Sequence, residues 1–405
     1  MGNSRQHPPY APLRLKKNEE RRIKGGHTWV FSNEVDTQAT PLTGFAPGQP
    51  VVIEDARGLA LGAGYVNPHT LISARIVTRN PHAAIDRAFF TSRLKEALAV
   101  RKRMFGEPYY RWVYGDSDGL PGLVVDRFGP LVVVQISTAG MEIVLDDIVS
   151  AIDTLVDPSV IVLRNDGGAR DLEQLPKYSR VCKGDAPDHL IVFENGARYA
   201  APLLEGQKTG WFFDHRMNRA ALRRYVKNQS VLDVFSYVGG WGIQAALAGA
   251  ESVTCLDVSE KALGFAAENA RHNDVSANFS TLAGDAFELL KSLRDERRRF
   301  DVIILDPPAF IQKKKDLKNG ETAYRRLNQA AMQILSKDGI LVSASCSSYL
   351  SGDALQDIIR QASRHIDRQV QILETGHQGP DHPVHPSIPE TRYLKAFFCR
   401  VAPTF

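Results

Sequence analysis

The stretch Val231-Leu-Asp-Val-Phe-Ser-Tyr-Val-Gly-Gly-Trp-Gly242 decides the fold of this 405-residue chain. It begins with four β-prone residues that include Asp233, and it ends in a turn that contains three glycines. A helix-compatible segment, 243–248, follows at once. This order of strand, glycine loop and helix N-terminus allows backbone N–H groups to approach a ligand closely.

A second acid, Asp257, ends the β-prone run 252–257 that follows the glycine loop. An acid at the tip of the second strand of such a unit is placed to bind the two hydroxyls of a ribose. The pattern therefore predicts an adenosine-bearing cofactor and leaves two enzyme classes open, dehydrogenase and methyltransferase. The dehydrogenase class is disfavoured because Gly239-Gly-Trp-Gly242 does not match the G-x-G-x-x-G spacing of dinucleotide sites.

Length and composition limit the remaining possibilities. A chain of this length predicts two or three domains, and 43% apolar with 24% charged residues is typical of a globular protein. We expect no membrane span, because no run of about 18 apolar residues exists, and no secretory signal. The four scattered cysteines contain no CxxC pair, which argues against a disulfide framework or a zinc site and favours the cytoplasm.

The chain divides by pattern into a tail and three domains. Strands and helices alternate from residue 201 onward, which predicts a doubly wound, mostly parallel α/β sheet. Short strands with turn residues between them predict a small β-barrel domain nearer the N-terminus. The predicted segments are a disordered tail (1–12), the β-barrel domain (13–80), a central α+β domain (81–200) and the α/β domain (201–405).

The N-terminal segment has a basic surplus, with seven basic and two acidic residues among positions 1–30. Arg14 and Lys16 lie near Trp29 in sequence, and RNA binding uses both cations and aromatic stacking surfaces. Two other interpretations stay open. The segment can be a solvated tail, and Trp29 and Phe31 can simply fill the core of the small barrel.

Two further motifs of the α/β domain favour a methyltransferase. Gly284-Asp285-Ala286 opens a helix, where a group that contacts adenine is expected, and Asp306-Pro-Pro-Ala-Phe310 follows a buried strand. Prolines fix the turn, an acid before them can accept from the exocyclic amine of a base, and Phe310 offers a stacking face. The alternative is a rigid loop without chemistry. The motifs predict a methyl donor and a planar nitrogenous substrate at the edge where the parallel strands end.

Cys346 narrows the choice of methylated atom. It ends the strand-like run 339–345, and in the expected strand order its tip lies beside the strand that ends before Asp306. Carbon 5 of a pyrimidine becomes nucleophilic only after a thiolate adds to carbon 6, whereas methylation of an amine needs no thiol. Cys255 and Cys399 lie within apolar or alternating strands and are expected to be small buried residues.

Taken together, these motifs resemble the 23S ribosomal RNA 5-methylcytosine methyltransferases, a class I family that depends on S-adenosylmethionine (SAM) and carries an N-terminal PUA domain. The resemblance covers nearly the whole chain. It rests on Gly26-His-Thr-Trp-Val-Phe-Ser-Asn33, Asp116 to Phe128, Lys208-Thr-Gly-Trp-Phe-Phe-Asp-His-Arg-Met-Asn-Arg219, Val231 to Gly242, Leu256 to Ala262, Asp306 to Phe310 and Ser345-Cys-Ser-Ser348. Trp211 and His215 stand where the family tends to have Phe and Gln.

The resemblance implies that a base flipped out of ribosomal RNA enters the cleft. Cys346 would attack carbon 6, and Asp306 would hold and polarise the cytosine, next to Pro307, Pro308 and Phe310. Arg14, Lys16 and Trp29 would contact the RNA. The implied SAM-binding residues are Lys208, Phe213, Asp233, Phe235, Ser236, Gly239, Gly240, Asp257, Val258, Asp285, Ala286 and Asp306.

Two other functions remain open at this point. One is a guanine-nitrogen methyltransferase of ribosomal RNA on the same scaffold, for which Cys346 would be a bystander. The other is an RNA-binding ribosome assembly factor whose SAM site is vestigial. We expect ribosomal RNA as partner, no membrane and no metal; the oligomeric state stays open, a homodimer included.

Overall fold

The computed structural model describes residues 10–204, 206 and 209–404, and it divides the chain into two compact units. The first unit contains the described residues up to Asp188 together with those of Leu203–Gly210 and Pro380–Thr391. The second unit contains His189–Pro202, Trp211–Gly379 and the described residues after Thr391. Most of the predicted disordered tail lies outside the described residues. Its last two residues were predicted wrongly, because a strand that pairs in parallel with residues 51–54 begins at Ala11.

The first unit contains two five-stranded sheets. The N-terminal sheet has the order β1-β3-β4-β5-β2 and the second sheet has the order β10-β9-β8-β7-β6. The strands are β1 (Ala11–Arg14), β2 (Trp29–Phe31), β3 (Pro50–Glu54), β4 (Ala60–Val66), β5 (Ile72–Thr78), β6 (Tyr109–Tyr114), β7 (Leu123–Phe128), β8 (Leu131–Ile136), β9 (Val160–Asn165) and β10 (Tyr178–Lys183). The helices are α1 (Glu20–Lys24), α2 (Arg87–Met104), α3 (Ala139–Ile143), α4 (Leu145–Val156) and α5 (Ala169–Leu172).

Helix α2 is the first helix of the segment predicted as the central α+β domain. Phe90, Leu94 and Leu98 are buried and pack against the second sheet, at the i, i+4, i+8 spacing of one helix face. The indole N–H of Trp112 in β6 donates to the carbonyl oxygen of Leu94 at 2.9 Å. The helix is thereby fixed to the sheet by a buried hydrogen bond as well as by apolar packing.

The second unit is built on a seven-stranded sheet and a separate hairpin. The hairpin pairs β11 (His189–Glu194) with β12 (Ala197–Pro202). The sheet strands are β13 (Ser230–Val234), β14 (Ser252–Asp257), β15 (Phe279–Ala283), β16 (Phe300–Leu305), β17 (Leu335–Ser345), β18 (Arg368–His377) and β19 (Lys395–Pro403). The helices are α6 (Arg216–Leu222), α7 (Gly240–Leu247), α8 (Glu260–His272), α9 (Ala286–Asp295), α10 (Leu317–Ile334) and α11 (Gly352–Arg364).

The sheet has the strand order β15-β14-β13-β16-β17-β19-β18. The first five strands in that order run parallel, which confirms the predicted doubly wound, mostly parallel sheet. The last two pairings are antiparallel. The chain adds strands outward from β13 through β14 to β15, and then outward in the opposite direction from β16 to β17, so the strand order reverses between β13 and β16. In open α/β sheets this switch point leaves a crevice beyond the strand ends, where ligands bind.

The predicted domain boundary at residue 200 differs from the boundary in the structure, because the hairpin β11–β12 belongs to the second unit. Two asparagine side chains of the α8 region explain this. The Asn269 side-chain oxygen accepts from the Ala200 N–H at 2.7 Å, and that of Asn273 accepts from the Arg198 N–H at 3.0 Å. These amides satisfy backbone groups on the outer edge of the hairpin, which local sequence patterning does not reveal.

Candidate active site

The glycine loop after β13 has an unusual backbone. Phe235 and Tyr237 have positive φ values of 66° and 50°, although neither is glycine, and Gly239 has a φ of 82°. A non-glycine residue in this region is uncommon and is often found at ligand sites. Gly242 is required by packing instead, because a Cβ there would meet the Cys255 sulfur at 2.5 Å. The loop therefore keeps its shape through both backbone freedom and close approach of α7 to β14.

Asp233 lies at the end of β13 and is fully buried. Its Oδ2 atom accepts from the Gly242 N–H at 2.9 Å, which joins the strand to the first turn of α7. Its Oδ1 atom has no hydrogen-bond partner among the described residues. Burial, reinforced by the carboxylates of Asp306 and Asp257, raises the pKa of Asp233 to about 7. A buried acid with an unused oxygen can accept a further donor, and an ammonium would also supply the missing counter-charge.

Asp257 and Asp285 lie on the neighbouring strand ends. The two Asp257 carboxylate oxygens accept from the N–H groups of Tyr237 and Ser259, each at 2.9 Å, so the acid is fixed beside the glycine loop. The Asp285 carboxylate caps α9 by accepting from Phe287 and Glu288. The Gly284 N–H donates to the Asp257 backbone oxygen at 3.0 Å, which joins the two loops. Val258 is exposed and Ala286 is buried.

Asp306 follows β16 on the other side of the switch point, and its side chain is 22% exposed. The Trp241 indole N–H donates to its Oδ2 atom at 3.0 Å, and the Nε2 atom of His215 lies 3.1 Å from its Oδ1 atom. Burial alone would raise the pKa of Asp306, but the imidazole and the indole N–H outweigh burial and hold that pKa below its usual value. Asp306 is therefore an ionised acceptor at neutral pH.

The segment 211–219 positions His215 in front of Asp306. The Asn218 amide nitrogen lies 3.0 Å from the Nδ1 atom of His215. If the amide donates, the imidazole proton is on Nε2, the nitrogen that faces Asp306. The contact between His215 and Asp306 could be suspected from the sequence only because a histidine stands where the family tends to have glutamine.

The same segment is anchored on the buried Glu194 of β11. Its carboxylate accepts from the Trp211 indole at 3.1 Å and from the Arg219 guanidinium at 2.6 Å. The second departure from the family pattern, Trp211, thus has a structural partner that a phenylalanine would lack. Phe213 is buried beneath the Arg216 guanidinium, which lies 5.1 Å from the ring centre.

Cys346 directly follows β17 and is half-buried. β17 pairs in parallel with β16, so the thiol and Asp306 lie at adjacent strand ends, as the sequence predicts. The hydroxyls of Ser345 and Ser347, which flank the cysteine, both lie 2.9 Å from the hydroxyl of Tyr324. This buried network from α10 fixes the backbone on both sides of the thiol.

Phe310 lies between the glycine loop and α10. Its ring centre is 4.8 Å from that of Tyr324 and 6.4 Å from that of Phe235. The ring is half-buried, Pro307 is buried and Pro308 is exposed. The Asp306-Pro-Pro-Ala-Phe310 loop therefore brings one acid and one aromatic face to the crevice that also receives the glycine loop.

The three predicted RNA contacts lie in the first unit, and each of them makes a polar contact within it. The Arg14 guanidinium pairs with Glu54 at 2.9 Å, and the Trp29 indole N–H donates to Asp116 at 2.6 Å. Lys16 is exposed, with its ammonium 2.7 Å from the Asn33 backbone oxygen. Lys208, a predicted cofactor residue, lies outside the described residues.

The crevice combines three features of the described residues. Asp233 has a buried oxygen without a hydrogen-bond partner, Asp257 lies at the end of the neighbouring strand, and the glycine loop with its positive φ values lies between them. Among the described residues, no cluster of three or more His, Cys, Asp or Glu side chains is arranged to hold a metal ion. In the same part of the chain, no helix combines the length and apolar character needed to cross a membrane.

Two family models match the chain. A PUA-like domain matches residues 13–79, and an S-adenosylmethionine-dependent methyltransferase matches residues 179–397. The crystal structure of SMU.776 complexed with SAH superimposes with a TM-score of 0.83 over 96% of this chain and 100% of that one, at 21% identity. That likeness shows a shared fold.

Curated relatives cover almost the full length. The Escherichia coli O139:H28 protein named Ribosomal RNA large subunit methyltransferase I is 37% identical over 395 residues, 96% of this chain and 99% of its own. The Salmonella arizonae protein of the same name is 37% identical over 400 residues, 97% of this chain and 98% of its own. The chain therefore belongs to the S-adenosylmethionine-dependent methyltransferase family that includes these proteins.

Proposed function

We propose that this protein transfers the methyl group of SAM to carbon 5 of a cytosine in large-subunit ribosomal RNA. The names of the full-length relatives support the RNA class, and the PUA-like and methyltransferase matches are compatible with it. The observation that carries the choice of atom is Cys346 at the strand end next to Asp306. A nitrogen methyltransferase has no need of a thiol at that place.

In the proposed reaction the Cys346 thiolate adds to carbon 6 of the flipped cytosine and makes carbon 5 electron-rich. Carbon 5 then attacks the sulfonium methyl group, and S-adenosylhomocysteine leaves. Loss of the carbon 5 proton to water, with expulsion of the thiolate, restores the aromatic ring. SAM supplies the electrophilic methyl group, while the chain orients the base and provides the nucleophile.

Asp306 supports cytosine over uracil as substrate. An ionised carboxylate only accepts hydrogen bonds, and the exocyclic amine of cytosine donates one. Uracil presents an oxygen at the same position, so two acceptors would face each other in a partly desolvated site, which is costly. His215 and Trp241 help to keep Asp306 in the ionised form that this discrimination requires.

The test is to replace the thiol and identify the methylated nucleoside. Purified wild-type protein, Cys346→Ala and the control Cys182→Ala are incubated with labelled SAM and large-subunit RNA, and the RNA is digested for nucleoside mass spectrometry. We expect 5-methylcytidine from wild type and from Cys182→Ala, and a loss of at least about a hundredfold for Cys346→Ala. Methylguanosine as the product, or wild-type rates in Cys346→Ala, would contradict the proposal.

A further inference from the structure

Lys395 is a half-buried cation beside the proposed nucleophile. It begins β19 and is the antiparallel register partner of Ser345, the residue before Cys346. Its ammonium nitrogen lies 2.6 Å from the Ser347 backbone oxygen and 2.8 Å from the Tyr393 backbone oxygen. The Lys395 side chain is thus held at the end of the strand that precedes Cys346. One of its two partners, Ser347, is the residue directly after Cys346.

The two partners of Lys395 are neutral. Among the described residues, no ion pair joins Lys395 to a carboxylate, although partly buried cations are normally paired. The charge that acts on Lys395 is that of Cys346, and it favours the ammonium form. Burial is the stronger influence and lowers the pKa of Lys395 to about 8, so the amine can exchange a proton near neutral pH.

We propose that the Lys395 ammonium is the counter-ion of the Cys346 thiolate. The ammonium donates two of its three N–H groups to the carbonyl oxygens of Ser347 and Tyr393, which holds its charge at the strand end that carries Cys346. The S–H bond of Cys346 breaks, its proton passes to water, and the nearby positive charge stabilises the thiolate that remains. The assignment rests on the proposed function of Cys346 as nucleophile.

Other titratable groups of the described residues lie on the elements next to this pair. Tyr324 approaches the cysteine from α10, and burial raises the pKa of its phenol, so it stays protonated. His377 on β18 is the register partner of Lys395 on the other side of β19, and it is exposed. Neither residue supplies a negative charge at neutral pH. Asp306, at the end of the adjacent strand β16, is ionised, but among the described residues no ion pair joins it to Lys395.

A competing explanation is that Lys395 only braces the two backbone carbonyls. Two variants separate the roles: Lys395→Met removes both the donor and the charge, whereas Lys395→Gln keeps an N–H donor for the carbonyls and cannot titrate. Lys337→Met is the matched control, because Lys337 is exposed near the other end of the same strand, β17. Calorimetric SAM binding confirms that each full-length variant is folded.

The readout is the rate at which iodoacetamide alkylates Cys346 between pH 6 and 10, followed by peptide mass spectrometry. This needs neither RNA nor turnover. We expect both Lys395 variants to shift the midpoint upward by about one pH unit or more, which slows alkylation about tenfold at pH 7. Lys337→Met should follow wild type. A wild-type profile in Lys395→Gln would show a bracing role and overturn the proposal.

The outcome is distinguishable from failure of the proposed function. An upward shift in the Lys395 variants, with normal methyl transfer by Cys346→Ala, would uphold the ion pair of Lys395 and Cys346 and reject Cys346 as nucleophile. An unchanged alkylation profile, with no methyl transfer by Cys346→Ala, would reject the pair and uphold the nucleophile. The pH–rate profile of methyl transfer in Lys395→Gln should shift in the same direction as its alkylation profile.

Discussion

Asp233 and Asp306 stand at the ends of adjacent parallel strands on the two sides of the switch point, yet their surroundings favour opposite charge states. Asp233 is fully buried with one unused oxygen, and its pKa is raised to about 7. Asp306 has a donor or imidazole at each oxygen, and its pKa is lowered. The same crevice thereby holds Asp233, a buried acid without a counter-charge, and Asp306, an ionised acid that can accept a hydrogen bond.

Removing the charge of Asp306 should have the largest effect on methyl transfer. Asp306→Asn keeps the size and one acceptor oxygen but lacks the negative charge, so we expect methyl transfer to fall at least about a hundredfold. Single-turnover assays with saturating SAM measure this. The control is Asp338→Asn, which removes an exposed acid of β17 that pairs with Arg400 of β19. A rate within threefold of wild type would show that the charge of Asp306 is not used.

Removing the charge of Asp233 should weaken SAM binding and stabilise the protein in the absence of SAM. Asp233→Asn loses a charge-assisted contact to the cofactor, and we expect SAM affinity to fall about tenfold in calorimetric titration. Loss of SAM affinity without a gain in stability would contradict the claim that the buried charge of Asp233 is destabilising. A gain in stability without loss of affinity would contradict the claim that this charge contributes to SAM binding.

The gain in stability should depend on pH. Asp233 titrates near pH 4 when unfolded and at about 7 when folded, so the folded state binds more protons between these values. The contribution of Asp233 to the free energy of unfolding therefore falls as pH rises toward 7 and then levels off. Thermal unfolding of the free protein should show Asp233→Asn more stable than wild type by up to about 4 kcal/mol at pH 8, and nearly equal at pH 4.5.

Loss of the indole donor should have a smaller effect. Trp241→Phe keeps the aromatic ring beside His215 but leaves the Oδ2 atom of Asp306 without its 3.0 Å donor. Hydrogen bonds to charged groups contribute about 1.5–3 kcal/mol, and the imidazole remains, so we expect methyl transfer to fall about tenfold or less. SAM affinity, measured in parallel, should stay within about twofold.

The smallest effect at neutral pH is expected for His215→Gln. Glutamine can donate to Asp306 but lacks the imidazole that lowers the pKa of this acid, so the pKa of Asp306 should rise toward its usual range. Because activity needs the ionised acid, the acidic limb of the pH–rate profile should move to higher pH by about one unit or less, with little change at pH 8. An acidic limb that stays in place would assign the low pKa to Trp241 instead.

Much of the second unit could be predicted because its pattern is local. Buried parallel strands give apolar runs such as 300–305, and the residue after such a strand lies at the ligand edge, which predicts the positions of Asp306 and Cys346. Strand β15 is harder to predict, because Phe279–Ala283 is a half-exposed edge strand without an apolar run.

The partners of the site residues could not be predicted in the same way. His215 and Trp241 reach Asp306 from separate elements, and Lys395 reaches the Cys346 strand end across an antiparallel pair about fifty residues away in sequence. Such contacts depend on tertiary packing, which no periodicity encodes. The predicted RNA contacts illustrate the converse, because composition revealed the cations but not that Glu54 neutralises Arg14.

The most direct test of the account is to trap the covalent intermediate. RNA that contains 5-fluorocytidine has no proton at carbon 5 to lose, so after methyl transfer the bond between carbon 6 and the sulfur of Cys346 should persist. With SAM present, we predict a protein–RNA complex that survives denaturing electrophoresis for wild type and Cys182→Ala, and none for Cys346→Ala. Methylation of ordinary RNA by wild type, with no trapped complex on the fluorinated RNA, would contradict cytosine methylation through a Cys346 adduct.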